Sequence, residues 1–123
     1  MATLVLSGSS ASTLVLTIRN NSDEELKICP YTIEALNTGL AGRSIWSCTD
    51  AKGAIVNYVG PMFRRVAPDE SDYTRVAVQA ELVVNGDITG MFPGLGAGSS
   101  VTAEIFHNGF VKSVKSNTLT LTE

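Results

Sequence analysis

Alternation with a period of two recurs along most of this chain, and it constrains the fold more than any other feature. Leu14, Leu16 and Ile18 alternate with Thr13, Val15, Thr17 and Arg19, which sets one residue class on each face of a strand. Leu119 and Leu121 alternate in the same way with Thr118, Thr120 and Thr122, and Val101, Ala103 and Ile105 oppose Thr102 and Glu104. Between Thr74 and Val84, the set Val76, Val78, Ala80, Leu82 and Val84 reads as one face of a single strand. Arg75, Gln79 and Glu81 form its other face.

The turn chemistry agrees with strands. Asn85-Gly86, ahead of Asp87–Met91, and Asn108-Gly109, between Val101–His107 and Phe110–Val114, each supply the two positive φ values of a type I′ hairpin. Asp50-Ala51-Lys52-Gly53 is a third expected turn, joining Ser44–Cys48 to Ala54–Val59, and Pro93–Gly98 is a loop. Helical signals are thin. Ser22-x-x-Glu25 has the form of a capping box, but Pro30 is expected to stop any helix it starts. Thr32–Leu36 has room for a single turn before Asn37-Thr38-Gly39. Eight to ten short strands predict an all-β chain: one immunoglobulin-like antiparallel β-sandwich over residues 1–123, with little helix.

Composition excludes several functions. With 44% apolar and 17% charged residues, the chain suits a single packed core. A net charge of −3 and scattered Lys and Arg give no footprint for nucleic acid or an anionic membrane. No apolar run reaches the length of a membrane span. The start, MATLVLSGSSAS, lacks a basic region and its apolar run stops at Leu6, too short for a secretory signal. Two origins remain open, cytosolic or secreted with a signal already removed, and the reading leans towards secreted.

The chemical constellations are sparse. Cys29 and Cys48 are the two cysteines. Either they form one disulfide, constraining the unfolded chain by roughly 3 kcal/mol, or they are buried free thiols. His107 is the one histidine; zinc coordination needs three or four ligands, and nucleophilic catalysis needs a base and an orienting partner beside the nucleophile. Neither cofactor nor metal is expected. Gly94-x-Gly96-x-Gly98 leads into a strand, so it is not the opening of a phosphate-binding helix. Asn20-Asn21-Ser22 is a glycosylation sequon, making Asn20 a candidate acceptor in a secreted chain. Arg64-Arg65, with Tyr58, Met62 and Phe63 nearby, has the composition of a binding surface. In the competing reading, one arginine pairs with Asp69 or Asp72 and the group is structural. Tyr58, Arg64, Arg65, Asp69 and Asp72 are the candidate interaction residues.

The stretch Gly53–Tyr73, GAIVNYVGPMFRRVAPDESDY, resembles a segment of the non-catalytic N-terminal β-sandwich domain of fungal deuterolysin-type and peptidyl-Lys zinc metallopeptidases. Leu14–Lys27 is similar to that domain's early strand and Asn-x-Gly/Ser-Asp-Glu turn, and Ile45–Gly53 to its strand and Asp-x-x-Gly turn. Asp87-Ile88 with Met91-Phe92, then Gly98–Glu104, continue the likeness in order. A Pro-Gly turn usual before the Asp-Leu segment is replaced here by Val78–Leu82. The one histidine leaves no His-Glu-x-x-His zinc helix. The resemblance therefore implies a non-enzymatic role. In that family the domain serves as chaperone and latency segment, so the expected activity is binding or inhibition of a separate protein. A small lectin-like or defence protein that binds glycans is the alternative, and a receptor-active protein, for instance a sweet-tasting one, is a third. The expected partner is a protein or receptor, with a glycan as the alternative; oligomeric state is not legible.

Overall fold

The alternating segments build two facing antiparallel sheets. The computed structural model describes residues 2–109 and 112–123. In chain order these are β1 (Ala2–Ser7), β2 (Leu14–Asn20), β3 (Leu26–Ile28), α1 (Pro30–Thr38), β4 (Trp46–Thr49) and β5 (Ile55–Val56). There follow β6 (Thr74–Val76), β7 (Glu81–Gly86), β8 (Ser100–His107), β9 (Lys112–Lys115) and β10 (Leu119–Thr120). One sheet has the order β1-β2-β7 and the other β10-β8-β4-β5, with β9 also on β8; β3 and β6 form a separate ribbon. Leu4, Leu6, Leu14, Leu16, Ile18 and Val84 from the first sheet share one core with Trp46, Cys48, Val101, Ala103 and Ile105 from the second. The chain is an all-β sandwich. Burying one such side chain contributes about 1.5–3 kcal/mol, which is why the alternation selects the face.

β1 escaped the sequence reading, which saw only a short apolar run. It is a full strand with Ala2, Leu4 and Leu6 inward, paired along β2 from Ala2–Asn20 to Ser7–Val15. The expected strand from Thr74 to Val84 is two strands on different sheets. Gln79 takes a left-handed φ of 64° between them, and Val78 stays exposed. The backbone of Asn20 anchors this break, its C=O accepting from the Gln79 N–H and its N–H donating to Ala80 O.

The Asn85-Gly86 hairpin does not form. Both residues continue β7, and Gly86 is required for a different reason: a Cβ there would lie 2.6 Å from the Leu36 carbonyl of α1. Asp87 N–H then donates to Asn37 O, so the end of β7 seats the end of the helix. Pro30 starts α1 instead of stopping it. At the first helical position its missing N–H is no loss and its φ is already helical. Gly39, left-handed, closes the helix by donating to Ala35 O. Ser22 lies outside any helix and instead bonds Asn20. Asn108 and Gly109 do take positive φ values, 50° and 87°, at the end of β8, and the register closes His107 on Lys112. Phe110 and Val111, which open the expected second strand, lie outside the described residues.

Asparagine side chains finish several strand edges by imitating backbone. Asn117 accepts from Leu6 N–H and donates to Leu6 O, covering part of the edge of β1. Asn108 accepts from Lys27 N–H on β3 and donates to Glu25 O. Asn20 donates to Val76 O on β6 and to Glu24 O.

Candidate functional site

After the Asp50–Gly53 turn, where the Asp50 carboxylate accepts from the Lys52 and Ala54 N–H groups, β5 pairs with β4 for two residues only. The chain then runs without helix or strand to Asp69, held at discrete points. Val59 N–H donates to Met91 O. The Tyr58 ring packs on Phe92 at 5.7 Å, and its hydroxyl accepts from Ala41 N–H and donates to Pro61 O. Tyr31 on α1 donates to Val66 O. Arg65 bonds Glu34 of α1 at 2.6 Å, with its guanidinium over the rings of Tyr31 (4.5 Å) and Phe63 (4.8 Å). The hydrogen bond that Arg65 donates to Glu34 raises its pKa further above the ordinary value.

These tethers turn apolar side chains outward. Ile55 is 77% exposed, Val59 61%, Met62 72%, Phe63 51% and Val66 84%. Scattered exposed apolar residues need no explanation, but five within twelve positions on a tethered segment do. Residues 43–68 carry Arg43, Lys52, Arg64 and Arg65 against one acid, Asp50, in a chain of net charge −3; Glu34 of α1 neutralises Arg65, which leaves Arg43, Lys52 and Arg64. Arg64 is exposed and makes no ion pair among the described residues. Beside the segment, a groove of about 870 Å³ is lined by Ser47, Thr49, Thr102 and Thr118 together with Ile55 and Arg43.

Tyr58, Arg64 and Arg65 lie on this segment, and Asp69 and Asp72 follow at its end, both exposed. Those two carboxylates bond within their own 3-10 turn: Asp72 accepts from Asp69 N–H and Asp69 accepts from Ser71 Oγ. Among the described residues neither pairs with Arg64 or Arg65, so the ion pair of the competing reading does not form; Arg65 is held by Glu34 instead. The neighbouring Glu70 pairs with Lys27 at 3.0 Å, whose hydrogen bond and charge lower its pKa. Tyr58 offers little free ring, being half-buried and bonded at its hydroxyl. Ile55, Val59 and Val66 were missed by sequence reasoning. Their signal was available: large apolar residues without alternation in a segment broken by Gly60 and Pro61.

Geometry decides between the two readings of the cysteines and corrects that of the sequon. Cys29 and Cys48 are unpaired thiols. Cys48 points into the sheet core from β4, and its burial pushes the thiol pKa up to about 12, whereas Cys29 sits at the start of α1. Asn20 is wholly buried, and its Nδ2 is committed to two carbonyls while Oδ1 accepts from Ser22 N–H and Oγ. A glycan on Nδ2 has no place in this fold. His107 borders the Asn108-Gly109 turn, is buried, and lines a 110 Å³ cavity together with Cys29, Lys27 and Tyr73. Among the described residues, no three His, Cys, Asp or Glu side chains gather as a metal site, and no helix is long and apolar enough to cross a membrane.

No protein-family model and no curated protein matches this chain.

Proposed function

We propose that this chain is a non-enzymatic binding protein that engages a separate protein through the apolar, cationic segment 55–66. The observation carrying this reading is that the segment is tethered through Tyr31, Glu34 and Tyr58 while Ile55, Met62 and Val66 stand in solvent. A surface already ordered before binding loses little entropy on docking. The resemblance of Gly53–Tyr73 to a latency domain makes a deuterolysin-type zinc peptidase the most concrete partner. Titrating such a peptidase with the protein tests this. Inhibition that weakens about tenfold in the Met62→Ser/Val66→Ser variant is expected; unchanged peptidase activity at high micromolar protein counts against inhibition.

The glycan-binding alternative has in its favour the groove lined by Ser47, Thr49, Thr102 and Thr118. Against it, Trp46, although it lines that groove, is buried with its indole N–H committed to Ala35 O, and the Tyr58 ring packs on Phe92. Binding on a glycan array that survives Met62→Ser/Val66→Ser would favour it. The receptor-active reading draws on the same exposed surface, and a receptor-cell assay separates it.

A further inference from the structure

We infer that the partner is held as an added β-strand: an extended acidic segment pairs with the free edge of β5. This rests on the protein-binding reading above and specifies its chemistry. Edge strands expose unpaired N–H and C=O groups, and folded proteins cover or blunt them. Here the edges of β1, β3 and β6 each meet an asparagine side chain, from Asn117, Asn108 and Asn20 respectively. β5 is the terminal strand of its sheet, with β4 as its neighbour, and no such side chain covers it among the described residues.

The direction of its free groups follows from ladder parity. Asp50 N–H donates to Ala54 O, and Thr49–Ile55 and Cys48–Val56 are the next registered pairs. Hydrogen-bonded and non-hydrogen-bonded pairs alternate in an antiparallel ladder, so Cys48–Val56 is bonded and Ile55 turns its N–H and C=O away from β4. The other side of β4 agrees: Ile45 O accepts from Glu104 N–H, which puts residues 45, 47 and 49 towards β8 and leaves 48 and 50 for β5. Ile55 is thus a donor and an acceptor at an open edge, with its side chain 77% exposed.

Charge selects the occupant. Lys52 sits in the turn entering β5 and Arg43 borders the groove beside it, while Arg64 stands unpaired further along the segment. An added strand bearing carboxylates between apolar residues meets opposite charge here, and like charge would be excluded. Backbone pairing supplies affinity, and the apolar side chains lie beside Ile55 and Met62.

Displayed random heptapeptides selected against the full chain test the inference. The expected binders alternate apolar with Asp or Glu residues. N-methylation of alternate peptide nitrogens in one phase weakens them at least about tenfold, while the other phase is tolerated, because each bond lost removes a backbone pair. Ile55→Pro deletes the outward N–H and is expected to weaken binding similarly, with circular dichroism and melting temperature retained, as proline is tolerated at a strand edge. If Ile55→Pro does not fold, the N-methyl scan on the wild-type protein decides alone. Binders indifferent to N-methylation in both phases, yet lost on Met62→Ser, overturn strand addition and leave the protein-binding reading standing. Enrichment of basic or neutral peptides overturns the acidic assignment. A selection with no binder overturns the inference, and the peptidase titration then judges the broader reading on its own.

Discussion

At the scale of single residues, burial separates the two thiols. Cys48 is 4% exposed on an inward strand face, and Cys29 is half-buried at the head of α1. Alkylation of the native protein is expected to modify Cys29 alone and alkylation in denaturant to modify both, as read by intact mass. Two native-state adducts would contradict the burial. The raised Cys48 pKa also has a definite sign. The folded state keeps the proton to about pH 12 against an ordinary value of 9.0, so its stabilisation is complete below pH 9 and is lost as pH rises towards 12. The slope is about 1.4 kcal/mol per pH unit in that window, and Cys48→Val should flatten it in urea titrations compared with wild type. Asn20 is the other decisive residue. Asn20→Asp sets a carboxyl oxygen against the carbonyls of Glu24 and Val76 and is expected to cost roughly 3 kcal/mol or more, as for a buried polar group that loses its partners. The sequence suggested Asn20 as a glycan acceptor because a sequon is three letters long; its burial depends on β6, more than fifty residues away.

At the scale of elements, strands with one buried face were readable and their interruptions were not. β2 and β8 follow the alternation residue by residue, because each inward position is decided locally by water exclusion. The Thr74–Val84 pattern continues in letters through a break in space, since Gln79 leaves the β region without leaving the alternation. Asn85-Gly86 carries hairpin chemistry, but the glycine is used to admit the Leu36 carbonyl. Pro30 has opposite meanings at the first and at an interior helical position, and the local letters do not say which applies. The candidate site was legible as a segment. Its tethers were not, because Arg65 is held by Glu34 and Tyr31 of α1, far back in the chain. Gln79 gives the test at this scale. A left-handed φ disfavours branched side chains most and glycine least. Gln79→Val is therefore expected to lose about 1–2 kcal/mol and Gln79→Gly to be near neutral in chemical denaturation. Equal losses would show that its side chain, which reaches Arg19 at 3.4 Å, matters more than its backbone.

For the whole molecule, charge and apolar exposure are distributed against the average. The acidic chain sets Arg43, Lys52 and Arg64 among the exposed Ile55, Val59, Met62, Phe63 and Val66, while Glu24, Glu25 and Glu70 are satisfied elsewhere by Lys112, Arg75 and Lys27. Those surface pairs set acid behaviour. Hydrogen bonding and charge from Lys112 lower the Glu24 pKa, and hydrogen bonds from Thr89 lower that of Asp87. Lowered carboxylates stabilise the fold above their ordinary values of 4.5 and 3.8, and that contribution fades as pH falls through the folded values. A melting temperature that is level from pH 5 to neutral and declines below about 4.5 is expected, and added salt should shrink the decline because the pairs are exposed. The apolar face gives the opposite dissociation, binding without stability. Removing Met62 and Val66 side chains from water-exposed positions should change the unfolding free energy by no more than about 0.5 kcal/mol each, whereas Leu16→Ala in the core should cost about 2–5 kcal/mol. If Met62→Ser/Val66→Ser abolishes partner binding at unchanged stability, the segment exists to be covered by another molecule. If it destabilises the chain as a core truncation does, those side chains belong to the fold, and the binding surface must be sought elsewhere.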